Sequence, residues 1–170
     1  KVGPALAEGT QVGPASSEAQ FEQNMSYVGI ATGEGGRLAA GGDKVDAATP
    51  GYFMQPTVIA DTAPEMRINC EEVFGPVVST IRAKDYDEAL AIANQGDFGL
   101  SAGIVSNSAR HIRDFRKNVR AGMVMVNLPT AGVDYHVPFG GTRGSSYGPR
   151  EQGFAAVEFY TQIKTVYTGD

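Results

Sequence analysis

Cys70, Glu71, Glu72 and Phe74 fall within one decapeptide, NCEEVFGPVV at 69–78. A thiol, two carboxylates and a ring so close together could serve nucleophilic catalysis or ligand recognition. A nucleophilic thiol needs its pKa lowered by a histidine, a lysine, an arginine or a helix N-terminus. Glu71 and Glu72 would raise it instead, because two neighbouring negative charges disfavour a third. Cys70 therefore reads as a small buried filler. Glu72 stands two residues before an aromatic ring and a Gly-Pro turn, at the entry to an expected strand. Ligands gather at strand ends in α/β folds, where a carboxylate accepts sugar hydroxyls and a ring offers a stacking face. Spacing alone leaves the alternatives open: a solvated acid at 72 and a core ring at 74.

A second constellation suggests a serine hydrolase through Ser101. GLSAG (99–103) matches the G-x-S-x-G pattern, and Asp134 and His136 follow in hydrolase order. A nucleophile elbow needs a strand before the serine and a helix after it, so that the hydroxyl is thrown outward. Here the polar turn NQGDFG precedes Ser101 and the apolar AGIV follows, so the order is reversed. His111, His136 and Cys70 are the only soft ligands and none stands at zinc-motif spacing, so no metal site is expected. Both histidines read as structural or surface residues. No G-x-G-x-x-G lies between a strand and a helix, and GGTRGSSYG has no phosphate lysine, so no complete nucleotide-binding fold is encoded.

The elements that must position these groups alternate. SSEAQFEQNMSYVGIATGEG begins with Ser17 and Gln20 in capping-box spacing, then places Phe21, Met25 and Val28 on one predicted helical stripe. GYFMQPTVI and GPVVSTIRA are β-branched runs bounded by Gly and Pro, hence strands. DYDEALAIANQG predicts a helix with Asp85 as N-cap, Glu88 three residues on and Gly96 as terminator. SAGIVS reads as a strand, SARHIRDFRKNV as a helix and AGMVMVN as a strand. A loop rich in Gly and Pro spans 128–153, followed by a short helix, FAAVEFYT, and a last strand, QIKTVYT. This alternation predicts an α/β fold with crossover units and a largely parallel sheet. A loop that long is functional or covered by a partner.

The 170 residues suffice for one ordinary domain, and 42% hydrophobic with 19% charged residues is a soluble globular composition. No apolar run is long enough for a transmembrane helix, so no membrane partner is expected. The opening, KVGPALAEGTQVGP, lacks the apolar region of a signal peptide and has no initiator methionine, as if cut from something longer. A net charge of −5, with basic residues clustered only in RHIRDFRKNVR, argues against nucleic acid. One cysteine excludes an internal disulfide framework and fits a cytoplasmic location.

The full set of phrases resembles the NAD(P)-dependent aldehyde dehydrogenases. EEVFGPVV (71–78) looks like the signature of that family. EGTQVGP, GYFMQPTV, FGLSAGIVS, AGMVMVN, PFGG and FYTQIKTVY follow the family's order over essentially the whole chain. The resemblance implies the carboxy-terminal part of such an enzyme, with 1–158 from its catalytic region and 159–170 as an oligomerisation strand. It implies that Glu72 holds the nicotinamide ribose hydroxyls of NAD or NADP and that Phe74 packs near the nicotinamide. Asn127 would steady the active-site loops and Phe139 would line the aldehyde pocket. Arg143 or Arg150 could face a substrate carboxylate or make ion pairs within the loop. NLPTAGVDYHVPFGG and GSSYGPREQG look most like 2,5-dioxovalerate (α-ketoglutarate semialdehyde) dehydrogenases.

The family's mechanism uses a cysteine thiolate, hydride transfer to NAD(P) and a glutamate that assists water attack. The G-Q-x-C phrase and the glutamate segment are absent here and Cys70 does not match the nucleophile, so no catalytic residue is expected in this chain. The implied partners are a small aldehyde and either a second copy through the last strand or a segment preceding the chain. The contrasting expectation is a non-catalytic folding or assembly module.

Overall fold

A computed structural model describes residues 1–170. Two units emerge, Lys1–Ala83 and Lys84–Asp170. In the first, helix α1 (Glu18–Gly33) starts where the Ser17 hydroxyl accepts the Gln20 N–H at 3.2 Å. This is half of the expected capping box. The Gln20 side chain does not return to the helix start. Its amide instead donates to the Val73 carbonyl at 3.0 Å. The buried face of α1 is also rotated from the expected stripe, since Asn24, Tyr27, Val28 and Ala31 are the buried residues. Phe21 and Met25 are only half-buried.

Strand β1 (Arg37–Ala40) pairs antiparallel with β2 (Thr57–Thr62), which pairs in parallel with β3 (Val77–Ile81). Both β1 and the one-turn helix α2 (Arg67–Cys70) escape the sequence reading, because four residues carry too little periodicity to register. Val28, Ala31, Ile59 and Ile68 form a buried cluster against which Met66, Val73 and Val77 pack. Burying a side chain of this size contributes about 1.5–3 kcal/mol. The cluster thereby fixes α1 and α2 on the sheet face that leads into the 71–76 turn.

In the second unit, helix α3 (Tyr86–Ala93) is capped by Asp85, whose carboxylate accepts the Glu88 N–H at 2.9 Å. The chain leaves α3 through Gly96 at φ +80°, a left-handed position that suits glycine. Strand β4 (Ser101–Ile104), helix α4 (Ala109–Asn118) and strand β5 (Met123–Val126) follow as expected. β4 and β5 pair in parallel, with Ser101 opposite Met123. The long loop holds a 3₁₀ turn at Arg143–Ser145 and a bridge between Phe139 and Glu151, and helix α5 (Ala155–Tyr160) ends the regular structure.

The fold class is α/β, with two differences from expectation. The sheets are a mixed three-stranded one and a two-stranded parallel one, rather than one largely parallel sheet. Residues 161–170 form no strand within this chain. A strand requires a neighbour for its N–H and C=O groups, and Ile163 stands 99% exposed without one.

Candidate functional site

The decapeptide at 69–78 divides its two acids by what touches them. The Glu71 carboxylate accepts two hydrogen bonds from the Arg67 guanidinium, each 3.0 Å, and a third from the Tyr27 hydroxyl. Arg67 also lies over the Tyr27 ring, 5.9 Å from its centre. The guanidinium first, and then the phenol, hold the Glu71 carboxyl below the usual carboxylate range. The same hydrogen bond to Glu71, followed by burial, pushes the Tyr27 hydroxyl upward. Glu72, next in the chain, is exposed and makes no hydrogen bond or ion pair. Glu71 is an anchor and Glu72 is left available.

Phe74 adopts φ +55°, costly for a residue with a β-carbon. Side-chain amides from α1 hold it there. The Gln20 amide donates to the Val73 carbonyl at 3.0 Å and the Phe74 carbonyl at 3.3 Å. Gln23 adds a bond to Val73 at 3.4 Å. Gly75 then presses on Asn24 so closely that a β-carbon at 75 would sit 2.4 Å from the Asn24 amide carbon. The left-handed turn projects the Phe74 ring outward, 76% exposed, on the rim of a cleft of about 460 Å³. Gln20, Asn24, Met54, Gly75 and Pro76 line the cleft with the 12–16 segment. Glu72 is not among the lining residues.

Asn24 is 1% exposed, and its amide nitrogen has no hydrogen-bond partner. Leaving a buried donor unpaired costs about 1–3 kcal/mol. This position was not legible in the sequence, since an asparagine on the buried stripe interrupts the apolar pattern. Gln20 could have been singled out only by its place in the capping box.

Cys70 departs from expectation. It is exposed, at the end of α2, with its sulfur 3.4 Å from the Pro64 carbonyl oxygen. Ile68 takes the inward face of this turn, and Cys70, two residues on, points away from it. A carboxylate of Glu34 accepts the Arg67 N–H at the start of the same turn, at 2.9 Å.

In the second unit, Asn127 adopts φ +55° and its side chain brackets Ser106. Its amide oxygen accepts the Ser106 N–H at 2.8 Å and its amide nitrogen donates to the Ser106 carbonyl at 3.1 Å. Phe139 is half-buried and exchanges two backbone hydrogen bonds with Glu151, at 2.7 and 2.9 Å. A largely apolar cavity of about 310 Å³ lies beside it, bounded by Met123, Leu128, Val133 and Val137, with Phe139 itself outside the lining.

Neither arginine of the loop makes an ion pair. Arg143 donates to the carbonyls of Asn94, Gly96 and Arg120, and so caps the C-terminus of α3. Arg150 donates to the Gly141 carbonyl. Guanidinium groups satisfy orphan helix-end carbonyls well, and the glycine-rich loop supplies carbonyls rather than carboxylates as near partners. Both arginines bond backbone carbonyls, which corrects the ion-pair expectation.

Ser101 is the first residue of β4, and a strand continues after it where an elbow would require a helix. Its backbone is not left-handed. His136 is exposed and meets Tyr135 edge-on at 5.6 Å. His111 stacks on Tyr86 at 4.3 Å, and the Tyr86 hydroxyl donates to Asp114 at 2.8 Å. Burial, then that bond to Asp114, pushes the Tyr86 hydroxyl up to about 12.

The fold and the 71–78 turn place the chain in a known class. The model of the aldehyde dehydrogenase family matches residues 1–166, and the chain belongs to that family. It is 47% identical over 169 residues to an α-ketoglutarate semialdehyde dehydrogenase of Haloferax volcanii, covering 98% of this chain and 35% of that protein. It is 41% identical to a betaine aldehyde dehydrogenase of Cereibacter sphaeroides, covering 99% of this chain and 34% of that protein. Among solved structures, an NAD-dependent aldehyde dehydrogenase from Sinorhizobium meliloti superimposes with a TM-score of 0.87 at 37% identity, covering 94% of this chain and 31% of that one. The chain thus spans about a third of the length of the curated relatives it matches.

Proposed function

We propose that this chain is the carboxy-terminal, cofactor-side part of an aldehyde dehydrogenase that oxidises an aldehyde to its carboxylic acid with NAD or NADP. The observation that carries the reading is the contrast between Glu71 and Glu72. Glu71 is consumed by Arg67 and Tyr27. Glu72 is exposed, unpaired and two residues from a ring that the backbone holds outward. A free carboxylate accepts the two hydroxyls of a ribose, and an exposed ring face accepts a nicotinamide, so the residues present fit the cofactor. Bound NAD(P) supplies a hydride acceptor. Glu72 orients the ribose, Phe74 limits the tilt of the nicotinamide, and Asn127 and Phe139 serve the loop and the aldehyde side.

In this reading the attacking thiolate belongs to a preceding segment, because Cys70 lies beside two carboxylates and hydrogen-bonds a carbonyl. Residues 159–170 pair with a second copy or with that segment. Exposed Tyr160, Ile163, Val166 and Tyr167 support the pairing, since an uncovered apolar row of this kind marks an interface. The substrate is 2,5-dioxopentanoate, on the strength of the higher identity to the semialdehyde dehydrogenase, and the compartment is the cytoplasm. No helix of the structure is long and apolar enough to cross a membrane.

The test is steady-state turnover of the full-length protein with 2,5-dioxopentanoate and with betaine aldehyde, using NAD or NADP. Glu72→Gln is expected to lower kcat/KM for the cofactor at least tenfold while Glu71→Gln mainly lowers thermal stability. Equal effects of the two on cofactor kinetics would defeat the assignment. Residues 1–170 alone are expected to give no turnover above a Cys70→Ser control.

A further inference from the structure

Asn24 is the least expected residue on the buried face of α1. Its neighbours on that face are Tyr27, Val28 and Ala31, and an apolar side chain would bury there without leaving an amide nitrogen unpaired. What the asparagine supplies is an acceptor. Its amide oxygen receives the Gln20 amide at 2.8 Å. That bond fixes which way the Gln20 amide faces, and the same nitrogen reaches the Val73 and Phe74 carbonyls at 3.0 and 3.3 Å. Gly75 closes the stack from the other side, because only a residue without a β-carbon can lie against the Asn24 amide.

We propose that Asn24 is a positioning residue that sets the pose of the Phe74 ring, acting through Gln20 on the left-handed backbone at 73–75. The proposal rests on the reading of Phe74 as the ring against the nicotinamide. Without the acceptor at 24, Gln20 loses the partner that aims it, and the turn is freed to relax toward ordinary negative φ. The ring then samples several orientations over the cleft. Hydride transfer suffers more than cofactor affinity, because a near-attack geometry is far more sensitive to pose than a binding contact is.

The experiment uses the full-length protein and compares wild type with Asn24→Leu, Gln20→Ala, the double variant and Phe74→Ala. Cofactor KM, kcat and the primary deuterium isotope effect with a 1-deuterated aldehyde are measured beside the melting temperature. Asn24→Leu is expected to lower kcat about tenfold, raise the isotope effect toward its intrinsic value and change cofactor KM less than threefold. The double variant is expected to be no worse than Gln20→Ala alone, since the two residues form one path. Asn24→Ala, which adds no bulk beneath Gly75, carries the same expectation should the leucine variant fail to fold. A lower melting temperature with unchanged kcat and isotope effect would make Asn24 merely structural and overturn the proposal, while an impaired Phe74→Ala left the cofactor reading standing. Full activity in Phe74→Ala would remove both.

Discussion

The two units hold their unusual backbone in different ways. In the first, a left-handed Phe74 is clamped by neutral amides of Gln20 and Gln23, behind which lies the Val28–Ala31–Ile59–Ile68 cluster. In the second, Phe115 is the one buried apolar side chain among the eight of the whole chain. There the loop around Arg143, also at φ +55°, is held by a guanidinium spread over three carbonyls. A packed core excludes water and makes a few neutral hydrogen bonds decisive. Where no such core exists, charge-assisted bonds to carbonyls hold the turn, since each is stronger than a neutral one. The first unit therefore presents its ring from a rigid base. The second leaves large apolar side chains open, with Phe154 and Tyr167 more than 90% exposed.

Hydrogen exchange read separately over residues 1–83 and 84–170 of the full-length protein can break this contrast. The largest loss is expected from Gly122→Ala. Its β-carbon would come within 2.0 Å of the Gly140 carbonyl oxygen and 2.9 Å of the Arg150 guanidinium. Backbone cannot yield as a flexible side chain does, so the cost lies at or above the upper end of about 1–3 kcal/mol, concentrated in 84–170. Gly75→Ala presses on a buried side chain instead and is expected to cost about 2 kcal/mol, concentrated in 1–83. Comparable loss of protection in both units from either variant would show that they do not respond separately.

Arg143→Met removes three carbonyl contacts from an exposed side chain and is expected to cost about 1–2 kcal/mol. It should loosen the C-terminus of α3, which the urea midpoint and exchange at 94–96 would register. An effect below about 0.5 kcal/mol would mean that Asn94 suffices alone. Asn94 already donates to the Asn118 carbonyl and accepts the Arg120 N–H.

The smallest effects are those of pH, and the carboxylate and the phenols act with opposite sign. Glu71 has its carboxyl lowered by Arg67 and Tyr27. Its contribution is complete above the ordinary carboxylate value of about 4.3 and is lost as pH falls through the lowered one. Tyr86 has its hydroxyl raised to about 12. Its contribution is complete below about 10 and is lost as pH rises from there through the raised value. Melting curves against pH should show the acid loss shrink in Tyr27→Phe and the alkaline loss shrink in Tyr86→Phe. Tyrosinate absorbance should lose its latest-titrating step only in Tyr86→Phe.

Residue order alone determined the α/β class, the ends of α3 and α4, the strands β4 and β5, and the candidate residues Glu72 and Phe74. Those features are local. An Asp85 cap, a Gly96 stop and an alternating apolar run act within a few residues, and a family phrase is itself a string. Tertiary structure decided which of two adjacent glutamates is taken, that Cys70 faces outward, that Gln20 serves a turn more than fifty residues away, and that Arg143 and Arg150 seek carbonyls. It also decided that 161–170 finds no sheet within this chain. The reason is common to all of these. A side chain's role depends on which donors and acceptors remain unpaired after the backbone has folded, and that remainder is fixed only by contacts distant in sequence.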